Sequence, residues 1–204
     1  RAVTQFPMET CESIGLLKVD FLGLSTLTIM RKACELIARY HGIRYTMDNI
    51  PYRPIPDDPE ESRRVAALFD LIGRGDTTGV FQLESPGMKR MLVEMKPRTF
   101  EHIVAAIALY RPGPLQFIPT FIKRMHGDEP VEYLHPLLGP ILEETYGICV
   151  YQEQIQQIAA QLFGYSLGDA DLMRRAVSKK KLKDLQQHRS TFVANGPKYG
   201  VSAE

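Results

Sequence analysis

The sequence has 204 residues, 44% of them apolar and 24% charged, with a net charge of +1. That apolar share can fill a core and excludes low-complexity disorder, while the near-zero charge excludes a domain that grips nucleic acid through overall basicity, so any basic signal must be local. The three cysteines, Cys11, Cys34 and Cys149, have neither metal-ligand nor redox spacing, and their odd number argues against a disulfide framework and for a reducing cytoplasm. No apolar run approaches the roughly 20 residues of a membrane-spanning helix. Arg1-Ala2-Val3-Thr4-Gln5-Phe6 lacks the order of a signal peptide and an initiator Met, so the chain is expected to be part of a longer protein.

Leu16-Leu17-Lys18-Val19-Asp20-Phe21 reads as a short strand, with Leu17, Val19 and Phe21 on one face and Lys18 and Asp20 on the other. Gly23 ends it, and Leu27, Met30, Ala33, Cys34 and Ile37 follow at helical spacing. Residues 47–59 hold four prolines and three aspartates, the composition of a connecting loop. Val65, Leu68, Phe69 and Ile72 then predict a helix that Gly73 and Gly75 stop. Val80-Phe81-Gln82-Leu83 reads as a short extended piece, and a helix from Met88 to Met95 is stopped by Pro97. Thr99 is placed to cap the next helix, with Glu101 in its first turn, where the macrodipole favours negative charge. That helix must end at the rigid Arg111-Pro112-Gly113-Pro114.

The second half is helical as well. Ile155, Ile158, Ala159 and Leu162 form an i, i+3, i+4, i+7 stripe. Ser166 and Asp169 have capping-box spacing and open a helix through Ala176. A last helix is predicted over residues 181–193, broken by Gly196-Pro197. The expected fold class is α+β and predominantly α: a strand-bearing appendage, residues 1–23, joined to a helical domain, residues 24–204.

Three places can carry chemistry. Asp20 on a strand end is a stiff mount for a Mg²⁺ ligand, and Lys18 beside it can meet a phosphate. Residue pattern alone favours a solvated strand face, since two-metal phosphoryl transfer needs several carboxylates around ions about 4 Å apart. The second place is the basic run Arg174, Arg175, Lys179, Lys180, Lys181 and Lys183, able to grip a triphosphate or a nucleic-acid backbone. A lysine run is usually a solvated surface; the paired arginines favour the phosphate reading, because Arg suits bidentate contact. Adjacent helical arginines point about 100° apart, so both reach one ligand only over the helix shoulder. The third is Arg111, read as satisfying the last carbonyls of its helix rather than as a ligand contact. Tyr151 can stack on a base, with core packing the simpler reading. The five histidines show no ligand spacing, and neither a P-loop nor a nucleophile elbow is present.

Leu16 to Leu24 (LLKVDFLGL), Gly79 to Ser85 (GVFQLES), Arg111 to Gln116 (RPGPLQ), Tyr146 to Gln154 (YGICVYQEQ) and Leu172 to Lys181 (LMRRAVSKKK) together resemble the family C bacterial replicative DNA polymerases, the DNA polymerase III alpha subunits, in that family's motif order. The resemblance implies a palm of polymerase-beta-like nucleotidyltransferase fold ending near residue 23, followed by helical fingers. It implies Asp20 as the third catalytic aspartate and a Mg²⁺ ligand, the other two lying upstream of this sequence. Lys18, Arg174 and Arg175 would then meet the deoxynucleoside triphosphate, and Lys179, Lys180 and Lys181 nucleic acid. Further implied are primer–template DNA as partner, a sliding clamp and a proofreading exonuclease met through other parts of the protein, a cytoplasmic location, and no polymerisation by this segment alone. Arg111-Pro112-Gly113-Pro114 departs from the Gram-positive replicative branch, and the lysine run from the error-prone paralogues. The rival readings are an error-prone paralogue, a helical module that binds nucleic acid without chemistry, and an interaction domain whose basic run is only solvated.

Overall fold

The computed structural model describes residues 3–46, 48–178 and 182–202. It divides into two compact units, Arg1–Ile50 and Pro51–Glu204.

Among the described residues the first unit holds two helices. α1 (Met8–Ser13) is a short turn after Pro7. α2 (Ser25–His41) follows the predicted apolar spacing and stops at Gly42, whose positive φ of 72° places it in the left-handed cap while its N–H returns to the Ala38 carbonyl. Arg39 and His41 lie in the last turn, where cations oppose the helix dipole.

Between these helices the sequence expectation fails. Residues 16–24 form neither helix nor strand, and no strand occurs among the described residues. The α+β class with a palm strand is therefore corrected to an all-helical fold. The alternation at Leu17, Val19 and Phe21 is real, but a strand also needs a neighbour to take its backbone hydrogen bonds and cover its apolar face. Neither is supplied among the described residues: Leu17 is 88% exposed and Phe21 95%.

The second unit is built on capped helices around a core. α3 (Pro59–Gly73) starts well before its predicted apolar stripe, because Pro59 suits the first turn and the Asp58 carboxylate accepts from the Glu60 and Glu61 amides at 3.1 and 2.9 Å. α4 (Pro86–Met95) is capped by Ser85, and α5 (Phe100–Leu109) by Thr99 as expected. Val80 to Leu83 is not extended. Leu83 N–H bonds back to the Val80 carbonyl at 3.0 Å, Gln82 has a positive φ of 65°, and the Thr77 hydroxyl closes the turn on the Leu83 carbonyl at 2.6 Å. α6 (Ile118–His126), which the periodicity had not signalled, brings Phe121 into the core.

Val65, Phe69, Met91, Leu92, Ile103 and Leu109 of α3 to α5 pack with Phe121. Each such side chain, removed from water, contributes roughly 1.5–3 kcal/mol. After α7 (Gly139–Leu142) come α8 (Gln152–Phe163), α9 (Leu167–Ser178) and α10 (Leu182–Asn195). A smaller apolar cluster joins Ile141 and Leu142 of α7 to Leu162 of α8. Phe163 stacks on Phe192 with ring centres 3.7 Å apart, tying α8 to α10.

Candidate functional site

The best-organised polar surface in the second unit lies where α8 and α9 meet. Its foundation is buried. Gln154, one turn into α8, uses its whole hydrogen-bonding capacity. Its carbonyl oxygen accepts from the Val150 and Tyr151 amides at 2.8 and 2.9 Å. Its amide group donates to the Ile141 carbonyl at 3.2 Å and the Thr145 hydroxyl at 2.8 Å. Thr145 in turn donates to the Ile148 carbonyl at 2.6 Å. A buried network satisfied at every atom holds one geometry, and here it fixes the first turn of α8, where Gln152 stands.

α9 begins at the predicted cap: the Asp169 amide donates to the Ser166 hydroxyl at 3.2 Å. Three and four residues before the paired arginines is Asp171, on the same helical face as both. Its Oδ1 accepts from Arg174 Nε at 3.0 Å and Nη2 at 2.8 Å, and from the Gln156 amide at 3.0 Å. Its Oδ2 accepts from Arg175 Nε at 2.7 Å. Arg174 Nη1 donates to the Gln152 side-chain oxygen at 2.7 Å. The Arg174 hydrogen bond, with the charges of both arginines, holds the Asp171 carboxyl below the ordinary aspartate value. Asp171 thus draws to one side two side chains that helical geometry sends apart.

The arginines differ in what remains free. Arg174 is 25% exposed, with Nε and both Nη groups engaged, whereas Arg175 is 61% exposed and, among the described residues, spends only Nε. Arg175 lines a cleft between α9 and α10 together with Asp169, Asp184 and His188. Sequence reasoning found the arginines and missed Asp171, Gln152 and Gln156; the Asp-x-x-Arg-Arg spacing was the available signal.

In the first unit, Asp20 and Lys18 lie together, Lys18 Nζ 3.4 Å from Asp20 Oδ2, in a pair whose carboxylate is exposed. An exposed hard-oxygen donor fits one position around Mg²⁺. It does not fit as a complete site: no group of three His, Cys, Asp or Glu able to hold a metal occurs among the described residues.

The other candidates resolve as structure. Arg111 is exposed and its guanidinium makes no hydrogen bond among the described residues, so it does not close α5; the Tyr110 amide bonds to the Ala106 carbonyl instead. Tyr151 is half-buried, and burial pushes its hydroxyl up to about 12, consistent with packing. His102 accepts the Arg98 amide on Nδ1 at 3.2 Å, so its Nε2–H donates to the Tyr146 hydroxyl at 3.1 Å, while burial lowers its pKa. Lys179, Lys180 and Lys181 lie outside the described residues. No described helix is long and apolar enough to cross a membrane.

A helical domain with a pre-ordered arginine pair on an exposed helix is the kind of element that meets phosphate groups. Residues 26–200 match the family described as the bacterial DNA polymerase III alpha subunit finger domain, and the chain belongs to that family. It is 49% identical to the DNA polymerase III subunit alpha of Thermus aquaticus over 209 aligned residues, covering 100% of this chain and 16% of that protein. The same-named proteins of Halalkalibacterium halodurans and Bacillus subtilis are 48% and 50% identical over 99% and 94% of the chain. The chain spans 16 to 17% of the length of these relatives.

Proposed function

We propose that this chain is the fingers segment of a replicative DNA-directed DNA polymerase and that α9 meets the triphosphate of the incoming deoxynucleotide. The observation that carries the reading is the arginine pair drawn to one side of α9 by Asp171, with the terminal nitrogens of Arg175 unengaged among the described residues. Membership of the finger-domain family and near-complete coverage by polymerase alpha subunits support it. The whole enzyme would add deoxynucleotides to a primer 3′ end on a DNA template, in the cytoplasm, with clamp and exonuclease met through other segments. Lys18 adds a cation for phosphate, and Lys179, Lys180 and Lys181 add nucleic-acid contacts. Residues 1–23, which precede the family match, are assigned to the adjoining palm.

Asp20 would supply one carboxylate ligand to Mg²⁺, which when bound would offset charge developing on the transferred phosphoryl group. With one acid, this segment alone is not expected to polymerise. The test is primer extension by the full-length enzyme. Arg174→Ala with Arg175→Ala is expected to raise the KM for nucleotide by roughly tenfold or more, the scale of one lost charge-assisted contact. Asp20→Asn is expected to remove most of kcat. An Asp20→Asn enzyme that extends primers normally would favour a module that binds nucleic acid without chemistry.

A further inference from the structure

The two arginines stand in different surroundings. We propose that Asp171 is a positioning residue for the incoming nucleotide, that Arg174 is the fixed support of the pair, and that Arg175 is the member that grips phosphate. This inference rests on the reading of α9 as the triphosphate contact.

A guanidinium has five N–H donors: one on Nε and two on each terminal nitrogen. Arg174 donates from Nε and Nη2 to Asp171 and from Nη1 to Gln152, so three of its five donors are spent on the protein. Among the described residues Arg175 donates only from Nε, leaving the four N–H bonds of its terminal nitrogens, the end that forms a two-pronged contact with phosphate oxygens. Asp171 occupies a different edge of that guanidinium, so carboxylate and phosphate can be bound together.

The chain of support can be followed inward. Gln152 is held because it opens α8, whose first turn Gln154 pins through the Val150 and Tyr151 amides. Gln156, one turn on, donates to the same Asp171 oxygen and fixes the carboxylate against α8. An arginine tethered at Nε loses less freedom on gripping a ligand than one swinging on four rotatable bonds. Against this, Asp171 cancels one of the two positive charges. If simple attraction dominated, removing the carboxylate would tighten nucleotide binding; if orientation dominates, removing it weakens binding.

The experiment is steady-state primer extension by the full-length polymerase, with nucleotide KM, kcat and primer–template Kd measured for Asp171→Asn, Asp171→Glu, Arg174→Ala, Arg175→Ala and the double arginine variant. Asp171→Asn is expected to raise nucleotide KM by about fivefold to tenfold, with kcat and DNA affinity within about twofold. Asp171→Glu, which can still reach both Nε atoms, is expected to recover most of the loss. Arg175→Ala is expected to exceed Arg174→Ala in its effect on KM. A lower or unchanged KM for Asp171→Asn overturns the positioning role, as does an equal loss of DNA affinity, which marks general damage to the domain. Arg174→Ala matching or exceeding Arg175→Ala overturns the division of labour. If the double arginine variant leaves KM unmoved, the triphosphate reading itself fails; if it raises KM while Asp171→Asn does not, only the positioning role fails.

Discussion

The two units of the chain use similar apolar periodicity to different ends. In Pro51–Glu204 the apolar stripes of α3, α4 and α5 close on one another and on Phe121, which is wholly buried. In Arg1–Ile50 the stripe of α2 is as regular, yet no described residue of that unit is buried. Periodicity determines where a helix forms and which face is apolar. Burial depends on a second element arriving with a complementary face, and that is a property of the pairing, not of the helix.

Truncation in the core separates the two units most strongly. Phe121→Ala is expected to cost about 3–5 kcal/mol in denaturant unfolding, through lost transfer energy and an unfilled cavity. A loss under 1 kcal/mol would mean that the second unit is no better packed than the first. Next in size is Gly164→Ala, at the end of α8. The backbone there has a φ of +66°, and an added Cβ would lie 2.1 Å from the Tyr199 hydroxyl. Strain and displaced packing together are expected to cost about 1–3 kcal/mol, read in the same unfolding curve. Asp58→Ala, which frees two amides at the start of α3, is expected to cost about 1 kcal/mol. The contrasting substitution is Phe21→Ala in the first unit: the ring is 95% exposed, and the change is expected to fall within about 0.5 kcal/mol.

Titration gives a further prediction, small in energy because Asp171 is near the surface. Its pKa is held low in the folded chain, so its contribution is present at neutral pH and is lost as pH falls through the folded value; rising pH leaves it intact. A ¹³C titration of the Asp171 carboxyl is expected to show a midpoint below that of an unpaired aspartate. An ordinary midpoint would mean that the arginines are not held as described.

Much of this was legible in the sequence. The Thr99 cap, the Ser166–Asp169 cap, the α8 stripe and the stop at Arg111-Pro112 are local chemistry, and local chemistry survives folding. The failures have a common origin. The strand over residues 16–21 needed a partner that the described chain does not provide, and the piece over Val80 to Leu83 became a turn because Thr77 closes it from outside the run. The site shows the same division. Arg174 and Arg175 stood out as residue types, but their convergence on Asp171 and the bond to Gln152 on another helix depend on how α8 and α9 pack. Arg111 errs in the other direction: it was expected to cap its helix, and the backbone does so alone through the Tyr110 amide.

The central claim is that α9 holds the triphosphate through Arg175. The most direct measurement is equilibrium affinity for the next correct nucleotide, in the full-length polymerase on a primer ended by a dideoxynucleotide, so that binding is read without chemistry. Arg175→Ala is expected to weaken that affinity by about tenfold or more while leaving primer–template binding within about twofold. An Arg175→Ala enzyme that binds the nucleotide as tightly as the parent would contradict the claim.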